Sequence, residues 1–315
     1  CTAMSAHKVS LRAQHPDTQP ISQGGLHRMG TTVQNVCDQF ARSRDQHKRC
    51  PKFRASFGLK RAMGWVPFQR QSRQIDANSV TYRGKTYRYF GAKRRPLPEN
   101  AKGGAFIEDA LGRWWVAFHV EIQQSDQASS GEVGIDLGLK DLATMSDGGK
   151  VENPRHLSKY AKRLAVAQRA GNKRQAKAIH AKIANVRRDY HHKTSTRLAR
   201  EYAFIAVGNV NAKNLAKTKM AKSVLDAGWS SFRTMLAYKA ATFVEVDERF
   251  SSQTCSACGT IPASRPRGIA GLGMRRWECS DCGASHDRDV NAALNILRVG
   301  RSVAAPVEES RRIAA

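Results

Sequence analysis

Acidic residues are what this sequence has least of for its size. Its 315 residues hold 26 Asp and Glu against 53 Lys and Arg, a formal net charge of +27 at pH 7. A compact chain so charged repels itself unless a polyanion neutralises it, so nucleic acid is the expected partner, with binding that weakens as salt rises. Long apolar runs are also missing. The longest candidate, "WWVAFHV" at 114–120, falls far short of the ~20 residues that span a bilayer and reads as a strand, so no membrane partner is expected. The N-terminus lacks the basic-then-apolar block of a secretory signal, and a cytoplasmic protein is expected. Aromatics make up only 7% and apolar residues 41%, so much of the chain should lie at the surface. A disulfide framework is a poor fit as well. The seven cysteines are odd in number, and four of them sit in two Cys-x2-Cys pairs, a pattern of metal binding in a reducing compartment. Cys1, Cys37 and Cys50 are left as free thiols. The chain begins at Cys1 with its first methionine at Met4, as expected of a fragment or of a reading frame without its natural start.

Residues 1–50 show no sustained apolar period, and "QHPDTQPISQGG" reads as loop, so an irregular, truncated segment is expected there. Residues 51–130 read as a β-rich nucleic-acid-binding segment. "VTYRGKTYRYFG" alternates around an Arg-Gly-Lys turn, and "AFIEDALGRWWVAFHVEIQ" reads as a hairpin with Leu111, Gly112 and Arg113 at its tip. A small β-barrel or half-barrel is expected. The polar stretch "QQSDQASSG" at 123–131 marks the boundary with a second domain over 131–300, where strands and helices alternate in α/β fashion. Residues 301–315 read as a tail.

Within that domain, residues 155–200 read as a long basic helical region with fourteen Lys and Arg against one acid, Asp189. Ile179, Ile183, Val186 and Tyr190 recur at helical spacing, so one stripe packs and the rest is charged. Most charge runs are simply solvated faces. The one-sided sign here favours a face turned to nucleic acid, with Lys173, Arg174, Lys177, Arg187, Arg188 and Lys193 as the expected contacts.

Cys255-x2-Cys258 and Cys279-x2-Cys282 are separated by 20 residues, and Gly259 and Gly283 follow the two pairs. Four thiolates close a tetrahedral zinc shell and leave no open position, so the expected site (residues 251–285) is structural, with redox chemistry the lesser alternative. His286 is surplus to such a shell.

Cleavage of a phosphodiester by divalent ions needs carboxylates converging from separate elements. Asp136 in "GIDLG" ends an apolar strand just before a Gly turn, so its side chain can emerge at a sheet edge. Asp289 stands at the start of the last helix, "VNAALNILRVG", where an Asp is equally a good cap.

Taken together, "VGIDLG" at 133–138, "SSQTCSACG" at 251–259, "ECSDCG" at 278–283 and "HDRDVNAALNIL" at 286–297 resemble the TnpB (OrfB-type) insertion-sequence proteins, transposon-encoded RNA-guided nucleases akin to type V CRISPR effectors. The resemblance runs from about 80 to 300. It implies a RuvC/RNase H-like nuclease domain with an inserted four-Cys zinc ribbon, preceded by a small wedge-like β-barrel. It also implies a structural Zn2+, catalytic Mg2+, a guide RNA from the transposon end, a target DNA, and a prokaryotic, nucleoid-associated location. Asp136 matches the first catalytic acid and Asp289 the third, while Asp287 is expected to play a supporting part. "LDAGWSSFRTML", with Asp226 and Trp229, matches too and reads as capping and packing.

Two departures stand out. Where the family's second acid belongs, "IAVGNVN" holds Gly208. Some lineages of the family are similar in moving that Glu to a neighbouring strand, and Glu248 in "FVEVDERFSSQ" is the candidate, on one strand face with Val244 and Val246. The N-terminal third also matches poorly. The expected function is an RNA-guided DNA endonuclease. The alternative is a nuclease-inactive RNA-guided binder or a transposon relic. A strand transferase is weaker, since Tyr190 beside His191 and His192 makes no recognisable nucleophilic site.

Overall fold

The computed structural model describes residues 4–11, 30–48, 50, 63–69, 73–76, 78–82, 84–90, 103–121, 130–210, 212–268 and 270–313. The chain divides into two units, Cys1–Gln123 and Gln124–Ala315. The expected linker at 123–131 and the expected loop at 14–25 lie almost entirely or entirely outside the described residues.

The first unit contains strands β1 (Met4–Leu11), β2 (Trp65–Gln69), β3 (Arg73–Asp76), β4 (Ser79–Tyr82), β5 (Lys85–Phe90), β6 (Gly103–Glu108) and β7 (Trp114–Glu121), with helix α1 (Gly30–His47). They pair antiparallel in the order β2-β6-β7-β1-β5-β4-β3. Phe68, Val80, Tyr82, Tyr89, Phe106, Val116, Phe118 and Val120 fill the core. Pro67 lies on β2, an edge, where its missing N–H costs no ladder bond. The hairpin tip falls where the sequence places it: Asp109 Oδ1 accepts from the Leu111 and Arg113 nitrogens at 2.9 and 3.0 Å, and Gly112 takes φ +74°. Among the described residues no ladder joins β2 to β3, so the sheet has two edges where a closed barrel has none. The expectation of an irregular residue 1–50 segment is corrected, because β1 pairs with β7 from Met4↔Glu121 to Leu11↔Trp114 and α1 follows.

The second unit is α/β. β8 (Gly131–Leu137), β9 (Asp141–Met145) and β10 (Lys150–Glu152) form an antiparallel meander. β11 (Tyr202–Gly208) then runs parallel to β8, and β12 (Thr242–Val246) parallel to β11, giving the order β10-β9-β8-β11-β12. Between β10 and β11 stand α2 (His156–Arg169) and α3 (Lys173–Glu201). The expected single basic region is therefore two helices. Gly171, at φ +64°, breaks them, and the Asn172 side chain caps α3 through the Gln175 nitrogen at 2.9 Å. α4 (Ala212–Leu215), α5 (Ala221–Ala227) and α6 (Trp229–Lys239) precede β12.

Alternation in the strands decides the two faces. Val133, Ile135 and Leu137 of β8 meet Leu198 of α3, Val224 of α5 and Trp229, Phe232 and Leu236 of α6 in the main core. The opposite face receives the last helix, α7 (Arg288–Ile313), through Ala206, Val246 and Ile296. α7 runs through most of the segment expected to be a tail, which is a second correction. Gly134 lets this helix lie against β8: a Cβ there would strike the Ala293 carbonyl and come within 2.7 Å of the Leu297 nitrogen. Overpacking of this kind costs roughly 1–3 kcal/mol. Gly134→Ala should lower the melting temperature by about 5–10 °C, and an unchanged melt would contradict this packing. No helix among the described residues is long and apolar enough to cross a membrane.

Candidate active site

Asp136 projects from β8 on the same face as Gly134, two residues earlier, and so towards α7. Because Gly134 lets that helix approach, the first turn of α7 brings Asp289 into the electrostatic range of Asp136. Burial pushes the Asp136 carboxyl up to about 7. The negative charges of Asp289 and Glu248 add to the rise, and Arg288 opposes it.

Glu248 arrives differently from expectation. β12 ends at Val246, whose pairing partner on β11 is Gly208, so Glu248 stands two residues beyond the strand. Its side chain lies over Gly208: a Cβ at Gly208 would meet Glu248 Oε2 at 3.0 Å and Glu248 Cβ at 3.1 Å. The space that a side chain at 208 would enter is filled by the carboxylate from 248. Burial raises the Glu248 carboxyl too, with Arg233 opposing and Asp247 adding. Glu245, on the other face, is held instead by Arg233 at 2.7 Å.

Asp289 Oδ2 accepts from Arg275 Nη1 at 2.8 Å. It is not the helix cap. Asp287 takes that part, its Oδ1 accepting from the Asp289 and Val290 nitrogens at 3.0 and 3.1 Å, with Lys150 Nζ 3.4 Å from its Oδ2. Asp136 of β8 thus feels the charges of Glu248, just beyond β12, and of Asp289, in the first turn of α7. The three acids are more open than a single-ion cage. Among the described residues, only the four cysteines form a group of three or more metal-ligating residues with all donor atoms within 4.8 Å of one another.

Those cysteines are Cys255, Cys258, Cys279 and Cys282. The sulfurs of Cys255 and Cys282 are 3.7 Å apart and those of Cys258 and Cys279 3.8 Å. A tetrahedron with zinc–sulfur bonds of about 2.3 Å has edges of about 3.8 Å, so the donor set fits zinc. Two matching knuckles build it. The Gly259 nitrogen donates to the Cys255 carbonyl at 2.9 Å and the Gly283 nitrogen to the Cys279 carbonyl at 2.8 Å, with φ of +80° and +73°. These are positions where a Cβ would be strained. β13 (Arg276–Glu278) and β14 (Ser285–Asp287) form the ribbon's hairpin and lead directly into α7. Cys279→Ser should abolish the one zinc per chain expected by metal analysis, and full retention of zinc would contradict a four-thiolate site.

Of the basic residues expected to face nucleic acid, Lys173, Arg174, Lys177 and Arg188 are exposed on α3. Lys193 is exposed but pairs with Asp189 at 2.7 Å. Arg187 is drawn inward, donating to the Leu225 carbonyl at 3.0 Å and lying 3.8 Å from Asp226. Arg275, which reaches Asp289, and Asn295, which binds the turn from Ser251 to Thr254, carried no readable signal of their own; His286, set aside as surplus to the shell, has its Nε2 3.1 Å from Cys255 Sγ. Asn291 was visible only as part of a motif.

A family profile described as "Probable transposase" (OrfB_IS605) matches residues 116–219, and one described as "Cas12f1-like, TNB domain" matches 229–296. A Streptomyces pristinaespiralis protein named a putative RNA-guided DNA endonuclease is 40% identical over 69% of this chain and 60% of its own length. Escherichia coli InsQ, with the same descriptive name, is 31% identical over 63% of this chain and 57% of its own length. A solved Cas12f1–sgRNA–target DNA complex aligns at TM-score 0.41 and 13% identity, covering 85% of this chain and 78% of that one. This chain thus spans less than two thirds of the length of either relative. By the two profiles, which match residues 116–219 and 229–296, and by these relatives, the chain is similar to the OrfB-type, TnpB-like insertion-sequence proteins.

Proposed function

We propose that this chain is an RNA-guided DNA endonuclease with a RuvC-like centre, in which Asp136, Glu248 and Asp289 hold divalent metal, Mg2+ in the cell. The observation that carries this reading is the placement of the Glu248 carboxylate over Gly208, within the field of Asp136. The acid missing from β11 is thereby supplied from the end of β12. The Asp136 carboxyl, pushed up to about 7 by burial and by the charges of Asp289 and Glu248, is a strained acid that a divalent cation would relieve. Bound at such a site, divalent ions supply Lewis-acid activation of water and stabilise the leaving oxygen.

The chain's own residues set the conditions for that chemistry. Asp136, half-buried between α7 and the sheet, must give up its proton before it can ligate. Arg288 favours that loss, and Glu248 and Asp289 oppose it. Arg275 orients Asp289 Oδ2. The exposed Lys173, Arg174, Lys177 and Arg188 of α3 would contact the phosphate backbone, which positions nucleic acid without reading its sequence. Reading is left to pairing between a guide RNA from the transposon end and its target. Cys255, Cys258, Cys279 and Cys282 would hold the ribbon zinc just ahead of α7, the helix that carries Asp289.

The test is plasmid cleavage with Mg2+ and an RNA from the transposon end carrying a programmed target segment. A Mg2+-dependent cut at the programmed site is expected. Guide-dependent binding of the plasmid with no cleavage product would favour the nuclease-inactive alternative.

A further inference from the structure

Glu248 stands outside any strand, so β12 does not fix where its carboxylate lies. The chain from Glu248 to Cys255 is one tight turn. The Ser251 nitrogen donates to the Glu248 carbonyl at 3.0 Å, the Gln253 and Thr254 nitrogens donate to the Phe250 carbonyl at 2.9 Å, and Phe250 takes φ +62°. Beside long bonds from the Glu248 nitrogen to Asn209 Oδ1 (3.4 Å) and from Arg265 Nε to Gln253 Oε1 (3.3 Å), what holds this turn is α7. Asn291 and Asn295, one helical turn apart on one face, are 1% and 3% exposed and point at it. The Ser251 carbonyl accepts from Asn291 Nδ2 at 3.3 Å and Asn295 Nδ2 at 2.9 Å. The Thr254 carbonyl accepts from the same two nitrogens at 2.8 and 2.7 Å. Asn291 Oδ1 completes the lattice by accepting from the Ser256 nitrogen at 2.9 Å. Five hydrogen bonds thus join the helix that carries Asp289 to the turn whose one end is Glu248 and whose other end is the ligand Cys255.

Resting on the carboxylate site proposed above, we propose that Asn291 and Asn295 are positioning residues that set the separation of Glu248 from Asp289. The asparagine lattice makes the zinc ribbon and the carboxylate site one mechanical unit. Only an amide of this length serves. Asp in either place offers no donors to the two carbonyls, and Ala leaves buried carbonyls unpaired.

The test uses the full chain, purified with its zinc, and follows Mn2+ binding at pH 8 by the electron paramagnetic resonance of the free ion. Asn291→Ala and Asn295→Ala should each weaken Mn2+ binding at least tenfold while zinc content stays at one per chain. Asn295→Ala removes only two of the five bonds and serves if Asn291→Ala fails to fold. Ser264→Ala, which breaks a bond internal to the ribbon (Ser264 Oγ to the Glu278 carbonyl, 2.7 Å), should leave Mn2+ affinity unchanged. Mn2+ affinity within twofold of the parent in Asn295→Ala would overturn the inference. So would a loss of Mn2+ binding in step with loss of zinc, which would make the lattice a ribbon anchor and nothing more. Asp136→Asn separates the two readings: if it binds Mn2+ like the parent, the carboxylate site itself fails. If it loses Mn2+ while the asparagine variants keep it, only the lattice proposal fails.

Discussion

Asp136→Asn is expected to abolish cleavage and, in the absence of divalent metal, to make the protein harder to melt. Both effects come from one group. In the folded chain burial holds the Asp136 carboxyl up at about 7, against an ordinary value of 3.8. Between those values the native state binds more protons than the unfolded state, so stability falls as pH rises through the window and stays low above it. Holding Asp136 ionised costs roughly 4 kcal/mol at pH 8. The uncharged amide removes that cost, and metal-free Asp136→Asn should melt about 5–10 °C higher than the parent at pH 8, with the gap closing towards pH 4. Differential scanning calorimetry in EDTA measures this. A variant that melts lower than the parent at pH 8 would contradict the strained-carboxylate account. The same sign governs activity: below about pH 7 the proton competes for the ligand, and cleavage should fall about tenfold per pH unit.

The second large effect concerns the acid that has changed places. Glu248→Ala should reduce cleavage by roughly 10^2–10^3-fold, because a lost ligand forfeits several kcal/mol of charge stabilisation and each 1.36 kcal/mol is a factor of ten. The compensating experiment is sharper. A Cβ at Gly208 would crowd Glu248 at 3.0–3.1 Å, so Gly208→Glu alone should be poorly tolerated. Combined with Glu248→Ala, the new carboxylate enters space its predecessor has vacated, and the double variant should regain at least tenfold over Glu248→Ala. Single-turnover rates with saturating guide and target measure both. Cleavage by Glu248→Ala at the parent rate would end the relocation reading.

The parts of this site that the sequence discloses are those carried by local chemistry. An apolar strand halted at "GIDLG" exposes Asp136, and two Cys-x2-Cys pairs at this spacing need no tertiary information to suggest zinc. Glu248 could be nominated only because a resemblance made Gly208 conspicuous. Strand alternation put Glu248 on one face with Val244 and Val246, whereas the strand stops at Val246 and Glu248 lies beyond it. The decisive fact, that its carboxylate occupies the volume above Gly208, is tertiary. Asp287 and Asp289 are both plausible caps by type. The cap falls to Asp287 because the pairing of β14 with β13, Asp287 opposite Arg276, fixes where the helix begins. β1 was invisible because its partners in β7 lie more than a hundred residues along the chain. Asn291 and Asn295 look like ordinary polar positions in an amphipathic helix until the carbonyls they bind are seen.

The most direct test of the central claim is a crystal of the full chain soaked in Mn2+, examined by anomalous diffraction. Two peaks about 4 Å apart, in contact with the carboxylates of Asp136, Glu248 and Asp289, are the predicted result. Ordered carboxylates with no Mn2+ peak between them would contradict it.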